Sequence, residues 1–183
     1  ETSYFNVQES LLNFSLDIAF YTTEFTSLPD GISYEILETY NLYVAVNKKH
    51  LFASCDELFP LDLAGESFIE LCYNKLYSRS WNVLQYIGKT AGFTPSVSYQ
   101  TTTLSSQMLQ VAANQGIALI TEPTKNYFSK VYREDIQFIS LKQAPTLNRV
   151  VMWASKNSNS QLMMLIKFIS KHYNDPGISH YSF

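Results

Sequence analysis

Apolar runs alternate with amphipathic stretches along the 183 residues, a pattern that predicts strands interleaved with helices. Residues 9–14 read as the end of an amphipathic helix, with Leu11, Leu12 and Phe14 on or near one face. LDIAFY (residues 16–21) follows as a short buried strand, and TTEFTSLPDG is a loop by its Ser, Pro, Asp and Gly content. Two extended pieces, ISYEILETY and NLYVAVN, are rich in β-branched and aromatic residues. Residues 54–65 (SCDELFPLDLAG) read mostly as loop with one helical turn, leading into the strand SFIEL. After the polar stretch CYNKLYSRS, Trp81, Leu84 and Ile87 recur at helical spacing, and Gly92 sits where a helix C-terminal glycine belongs.

The same alternation then repeats. SVSYQ predicts a strand, TTTLSSQMLQVAAN a helix, and GIALIT a strand; residues 122–129 form a short helix begun by Pro123. IQFISL and NRVVMWA are two more strands. The last helix covers residues 159–172, with Leu162, Leu165, Ile166 and Ile169 on one face and Pro176 and Gly177 ending it. Strands and helices at these intervals indicate an α/β fold around a largely parallel sheet. Ligands of such folds bind outside the carboxyl ends of the strands. That places candidate groups at residues 21–23, 72–80, 100–103 and 121–123. In VAANQGIALITEP the turn from helix to strand requires Gly116. GIALI reads as buried on both faces and ends in the polar Thr121-Glu122-Pro123.

Composition narrows the function. At 46% apolar and 15% aromatic, the chain suits one compact domain or two small lobes sharing a cleft. The net charge of −3, from 13 basic and 16 acidic residues without a basic block, argues against this chain gripping nucleic acid by itself. No run of about 18 apolar residues is present, so no membrane partner is expected. The N-terminus ETSYFNVQES has no signal-peptide pattern. Cys55 and Cys72 read as reduced thiols of a cytoplasmic protein, with a disulfide as the alternative. His50, His172 and His180 have no ligand partner at metal spacing, so neither metal nor cofactor is expected. Asp17/Glu24, Asp56/Glu57 and Glu134/Asp135 can be drawn as carboxylate pairs, but no histidine or nucleophile accompanies them, so the chain does not read as an enzyme.

Several landmarks in a fixed order resemble the effector-binding domain of LysR-type transcriptional regulators. They are LDIAF, LYVAVNKKHLF, LDLAGESFIEL, AGFTPSV and LQVAANQGIALIT, closed by RVVMWASKNSNSQLMMLIKFI. The chain departs from the family in lacking the Pro of a His-Pro-Leu landmark at His50-Leu51, and a second Gly at Asn114-Gln115. The resemblance implies two Rossmann-like lobes joined by two crossover strands, as in type 2 periplasmic binding proteins. Lobe I would hold residues 1–40 and 146–183, and lobe II residues 41–145, with crossings near residues 37–41 and 145–148. It also implies a small-molecule effector in the inter-lobe cleft, a homodimer or homotetramer, and DNA contact through an N-terminal winged helix-turn-helix that the sequence does not contain. On this reading the sequence is a fragment. The helix at residues 81–91 is the expected lobe II side of a self-association interface. A solute-binding protein of a transporter shares the two-lobed plan and is the alternative reading, which an export signal or lipid-anchor cysteine upstream would favour.

On the family template Thr22 and Thr23 match a cleft position, though they could equally continue the loop, and Thr102 matches a cleft-lining one. Ser78 or Ser80 would cap the next helix. Its free amides together with Arg79 would form an anion site; the bland alternative is a capped helix with a solvated Arg. One of Thr101, Thr102 and Thr103 is a helix cap. Tyr21 and Tyr73 would wall the cleft, with Thr121 at its floor or hinge edge. Because many effectors of this family are small anions, an anion is the expected ligand. Leu104, Met108, Leu109, Met163 and Met164 read as core or packing residues.

Overall fold

A computed structural model of the chain describes residues 4–23, 30–72 and 79–173. Contacts divide the chain into two units, one made of Glu1–Tyr40 with Leu147–Phe183, the other of Asn41–Thr146. The chain passes from one to the other at Tyr40–Asn41 and returns at Thr146–Leu147.

In the first unit, α1 (Tyr4–Leu12), β1 (Ala19–Thr23), β2 (Ile32–Tyr40), β9 (Leu147–Ala154) and α5 (Ser160–His172) build a sheet of order β1-β9-β2. Both pairings are antiparallel. Central β9 explains the unbroken apolar run VVMW. Val150 and Met152 face Leu11 of α1 and Ala19, while Val151 and Trp153 face Leu162 and Ile166 of α5 and Leu37. Alternate side chains of one strand thus enter opposite cores. Arg149 lies 5.8 Å from the centre of the Tyr173 ring. The Tyr40 hydroxyl donates to the Glu38 carboxylate, and burial, then that bond, holds its pKa far above the ordinary phenol value.

Several expectations for this unit change. Strand β1 begins at Ala19 rather than Leu16, because its register is set by pairing Ala19 with Met152 and Tyr21 with Val150 over the Leu11 cluster. Thr22 and Thr23 therefore belong to the ladder, opposite Arg149 and Asn148, rather than to the loop after it. Of the three residues expected on the α1 face, Leu11 is buried, whereas Leu12 and Phe14 are exposed, Phe14 lying past the helix at φ 61°. Met163 packs beside the α5 core, whereas Met164 and Leu165 point outward.

In the second unit, β3 (Leu42–Asn47), β4 (Glu57–Leu58), β7 (Ala118–Thr121) and β8 (Ile136–Leu141) form a sheet of order β4-β8-β3-β7. Beside it, β5 (Ser67–Leu71) and β6 (Ser96–Thr101) pair in parallel. A parallel bridge from Phe68 to Ile117 continues the sheet from β5 to β7. The largely parallel sheet expected is therefore mixed. Entering from the other unit, β3 runs antiparallel to both neighbours, and only β5–β6, β4–β8 and the Ile117 bridge are parallel. Helices α3 (Leu104–Ala112) and α4 (Glu122–Val131) cover one face, where Met108, Val111 and Phe128 meet Ala45, Ile69, Ala118, Ile120 and Ile136. Helix α2 (Arg79–Ala91) packs against β5 and β7 through buried Val83, Leu84 and Ile87, and Gly92 follows it at φ 84°. Leu109, expected in the core, is exposed on α3.

The stretch before β5 holds two 3-10 turns, Leu51–Ser54 and Pro60–Leu63, with β4 between them. His50 caps the first turn, its Nδ1 accepting from the Phe52 amide at 3.2 Å, and its Nε2 meets Glu66 at 3.3 Å. Buried Asn47 donates to the Ala112 carbonyl at 2.6 Å and accepts from the Lys49 amide at 2.8 Å, tying the end of β3 to the end of α3. Both cysteines are half-buried.

Candidate functional site

Parallel alignment brings the carboxyl ends of β5, β6 and β7 to one end of the second unit's sheet. Leu71 pairs with Thr101, and the Cys72 amide donates to the Thr101 carbonyl at 2.8 Å. Three consecutive threonines then take three different roles. Thr101 is buried and its hydroxyl donates to the Glu70 carbonyl at 3.2 Å. Thr103 is the N-cap of α3, accepting from the Ser106 amide at 3.1 Å and donating to the Ser106 hydroxyl at 2.8 Å. Thr102, between them, is exposed and makes no side-chain hydrogen bond among the described residues.

This arrangement follows from the chain's change of direction. A strand alternates its side chains in and out, so Thr101 turns inward and Thr102 outward. Thr103 then takes extended angles (φ −134°, ψ 149°), as an N-cap must. The cap satisfies only the Ser106 amide. The amides of Leu104 and Ser105 have no partner among the described residues, as expected for a first helical turn. Together with the Thr102 hydroxyl they form a group of donors at the positive end of a helix, suited to an anion. Replacing Thr103 by Ala removes the cap and is expected to lower stability by about 1 kcal/mol, read as a lower urea midpoint with an unchanged slope.

Behind these donors lies a polar cluster that the sequence reading passed over. Glu70 is buried in β5, with one carboxylate oxygen accepting from Gln100 Nε2 at 2.8 Å and the other, Oε1, unpartnered among the described residues. Buried Gln107 donates from α3 to the Ile69 carbonyl at 2.7 Å. Together these bonds tie β5, β6 and α3. Phe68, Ile69, Glu70, Leu84, Gln107 and Leu119 enclose a cavity of about 10 Å³ there, space on the order of one water. The signal was a glutamate inside the apolar strand SFIEL, since buried carboxylates are rare without a partner.

The other candidates are placed as follows. Thr121 begins α4 and shares a hydroxyl–hydroxyl bond of 3.1 Å with Thr124, while the next amide, of Glu122, donates to the Asn41 carbonyl at 3.1 Å. Arg79 and Ser80 open α2, whose first-turn side chains lie outside what is described. Tyr73 and Ser78 lie outside the described residues. Tyr21 and Thr22 are half-buried in β1 of the first unit, Tyr21 against the Leu11 cluster. Asp17 accepts from the Asn157 side-chain amide at 3.1 Å. Among the described residues no His, Cys, Asp and Glu cluster could hold a metal ion, and no helix is long and apolar enough to cross a membrane.

Known proteins share this fold. The chain is similar to the effector-binding domain of a BenM variant, with a TM-score of 0.78 at 16% identity over 94% of this chain and 78% of that one. It is similar to the CcmR regulatory domain from Synechocystis PCC6803, solved in complex with 2-PG (TM-score 0.76, 14% identity, 96% and 82% of the two chains). A protein from Pseudomonas aeruginosa described as a LysR-family transcriptional regulator matches at a TM-score of 0.73 and 15% identity over 94% of this chain. The match spans only 58% of that longer protein. No curated protein matches the chain. The shared fold is the two-lobed, periplasmic-binding-protein-like α/β fold of LysR effector-binding domains. The family model described as the LysR substrate binding domain matches residues 1–163 of the 183, and the chain belongs to that family.

Proposed function

We propose that this chain is the small-molecule sensor of a LysR-type bacterial transcription regulator, binding an anionic effector rather than transforming it. One observation carries the chemistry: the Thr102 hydroxyl and the Leu104 and Ser105 amides, without partners among the described residues, gather at the start of α3. Arg79, at the start of α2, is proposed to add a cation. Tyr21, Thr22, Tyr73, Ser78, Ser80, Thr103 and Thr121 complete the proposed set, with the ligand held between the lobes. The effector acts by preferring one lobe and oligomer geometry over another, and can shift that equilibrium only by its differential affinity. DNA is bound by a domain outside this sequence, in a cytoplasmic homodimer or homotetramer.

The test is a thermal-shift screen of the chain against small carboxylates and phosphates, followed by calorimetry on the best anion. Thr102→Val and Arg79→Ala are each expected to weaken it about tenfold, a loss of about 1.4 kcal/mol, with the unliganded melting temperature unchanged. Unaltered affinity in both variants removes the site. A full-length protein that binds no promoter removes the regulatory role.

A further inference from the structure

A second group of cations lies away from the strand ends, in the second unit. Lys48 follows β3 in the turn where its amide donates to the Asp135 carbonyl at 2.9 Å. Lys125 and Ser129 stand four residues apart on α4, hence on one helix face, and Arg133 follows just past the helix end. All four line one cavity of about 320 Å³, floored by Ile136 and Phe138 of β8. That volume is at the lower end of small-ligand sites.

Three features separate this cavity from a scatter of surface lysines. The chain is acidic overall, with 13 Lys and Arg, yet three of them line this one cavity and no carboxylate does. Lys125 is half-buried and held in place, its Nζ 4.9 Å from the centre of the Tyr43 ring. Among the described residues Arg133 pairs with Glu134 alone, at 4.0 Å with both side chains largely exposed, a pairing weak enough to exchange for a better anion. Beneath them, β8 pairs with β4 only at Ser140 and Leu141, so residues 136–138 have no outer strand partner among the described residues.

We propose that this cavity is a second ligand site, taking a small molecule with two or more negative charges, a phosphorylated or polycarboxylate metabolite. Three cations reaching in from the turn after β3, from α4 and from the turn after α4 match a charge spread over several oxygens better than a single carboxylate. The Ser129 hydroxyl donates to the Asn126 carbonyl at 3.3 Å, so toward a ligand it is a neutral donor only by rotating away from that long bond, and the apolar floor accommodates a carbon skeleton. Flanking Glu134 and Asp135 break the basic surface within two residues of Arg133, which argues against the long stripe a nucleic acid needs. The proposal goes beyond the anion site at α3 and stands whether or not that reading holds.

Pyrophosphate is the probe, titrated into the full 183-residue chain at low ionic strength by calorimetry. Binding is expected, weakening as salt rises. The double variant Lys125→Gln/Arg133→Gln should reduce affinity at least about tenfold, with Lys167→Gln, an exposed cation on α5, without effect. The substituted side chains are at least partly exposed, so the melting temperature checks that the fold persists. Absence of binding, or affinity unchanged in the double variant, overturns the proposal. Binding abolished by Thr102→Val instead places the anion at α3 and also overturns it, while supporting the sensor site. A tetraglutamate peptide that binds where pyrophosphate does not would overturn it in favour of a peptide groove.

Discussion

Gly116→Ala is expected to destabilise the chain by about 3–5 kcal/mol, a large part of the stability of a domain this size. Gly116 has φ +153°, and an added Cβ would lie 2.5 Å from the Ser67 carbonyl oxygen. That oxygen cannot move freely. It accepts from the Ile117 amide at 2.9 Å, while the Ile69 amide donates to the Ile117 carbonyl at 2.8 Å. These two bonds join β5 to β7. Relieving the clash means parting the strands, which loses about 1 kcal/mol per hydrogen bond on top of roughly 1–3 kcal/mol of backbone strain. Urea denaturation reads the loss directly, and a midpoint equal to that of the parent chain would contradict it. The same displacement would move the carboxyl ends of β5 and β7, so anion binding at α3 should fall in the folded fraction as well.

Phe68→Ala should cost about 3 kcal/mol, toward the low end for a buried aromatic. Phe68 is 1% exposed and lines the small cavity with Leu84 and Leu119. Truncation enlarges that space, and an apolar void would carry the full penalty. Here Glu70 lines the same space and its Oε1 has no partner among the described residues, so entering water can bond to it, offsetting part of the loss. Ile166→Ala, in the apolar cluster of Leu37, Val151, Trp153 and Leu162, lacks such an acceptor. It should cost at least as much although the side chain is smaller. Denaturation of both variants tests the contrast; a much larger loss for Phe68→Ala would show that the enlarged cavity stays dry.

Helices α2, α3 and α5 were legible because their apolar faces repeat at helical spacing, and Asn159 and Thr103 supply caps where those faces begin. Strand identity was legible for the same reason, as in VVMW and GIALI. Strand limits were less so. LDIAFY is apolar throughout, and only pairing with β9 decides that Ala19 opens the strand while Leu16 stays exposed. Exposure within a face was also hidden: Leu109, Met164 and Leu165 satisfy the helical pattern, yet no neighbouring element covers them.

For the candidate site, the run Thr101-Thr102-Thr103 announced a strand end and a helix start, but not which hydroxyl stays free. That choice depends on Thr101 reaching Glu70 and Thr103 reaching Ser106. Gln100 is 30 residues from Glu70, and Gln107 is 38 from the Ile69 carbonyl it reaches, so the association of β5 with these two side chains exists only in the fold.

By itself, then, the sequence determined the α/β class, the order of its elements and the family, because local periodicity and ordered landmarks survive without knowledge of contacts. The tertiary structure decided strand direction, which threonine is free, and the gathering of Lys48, Lys125 and Arg133 around one cavity. Each of these depends on groups far apart in the chain meeting across a sheet or along a strand edge, and nothing in local spacing encodes such a meeting.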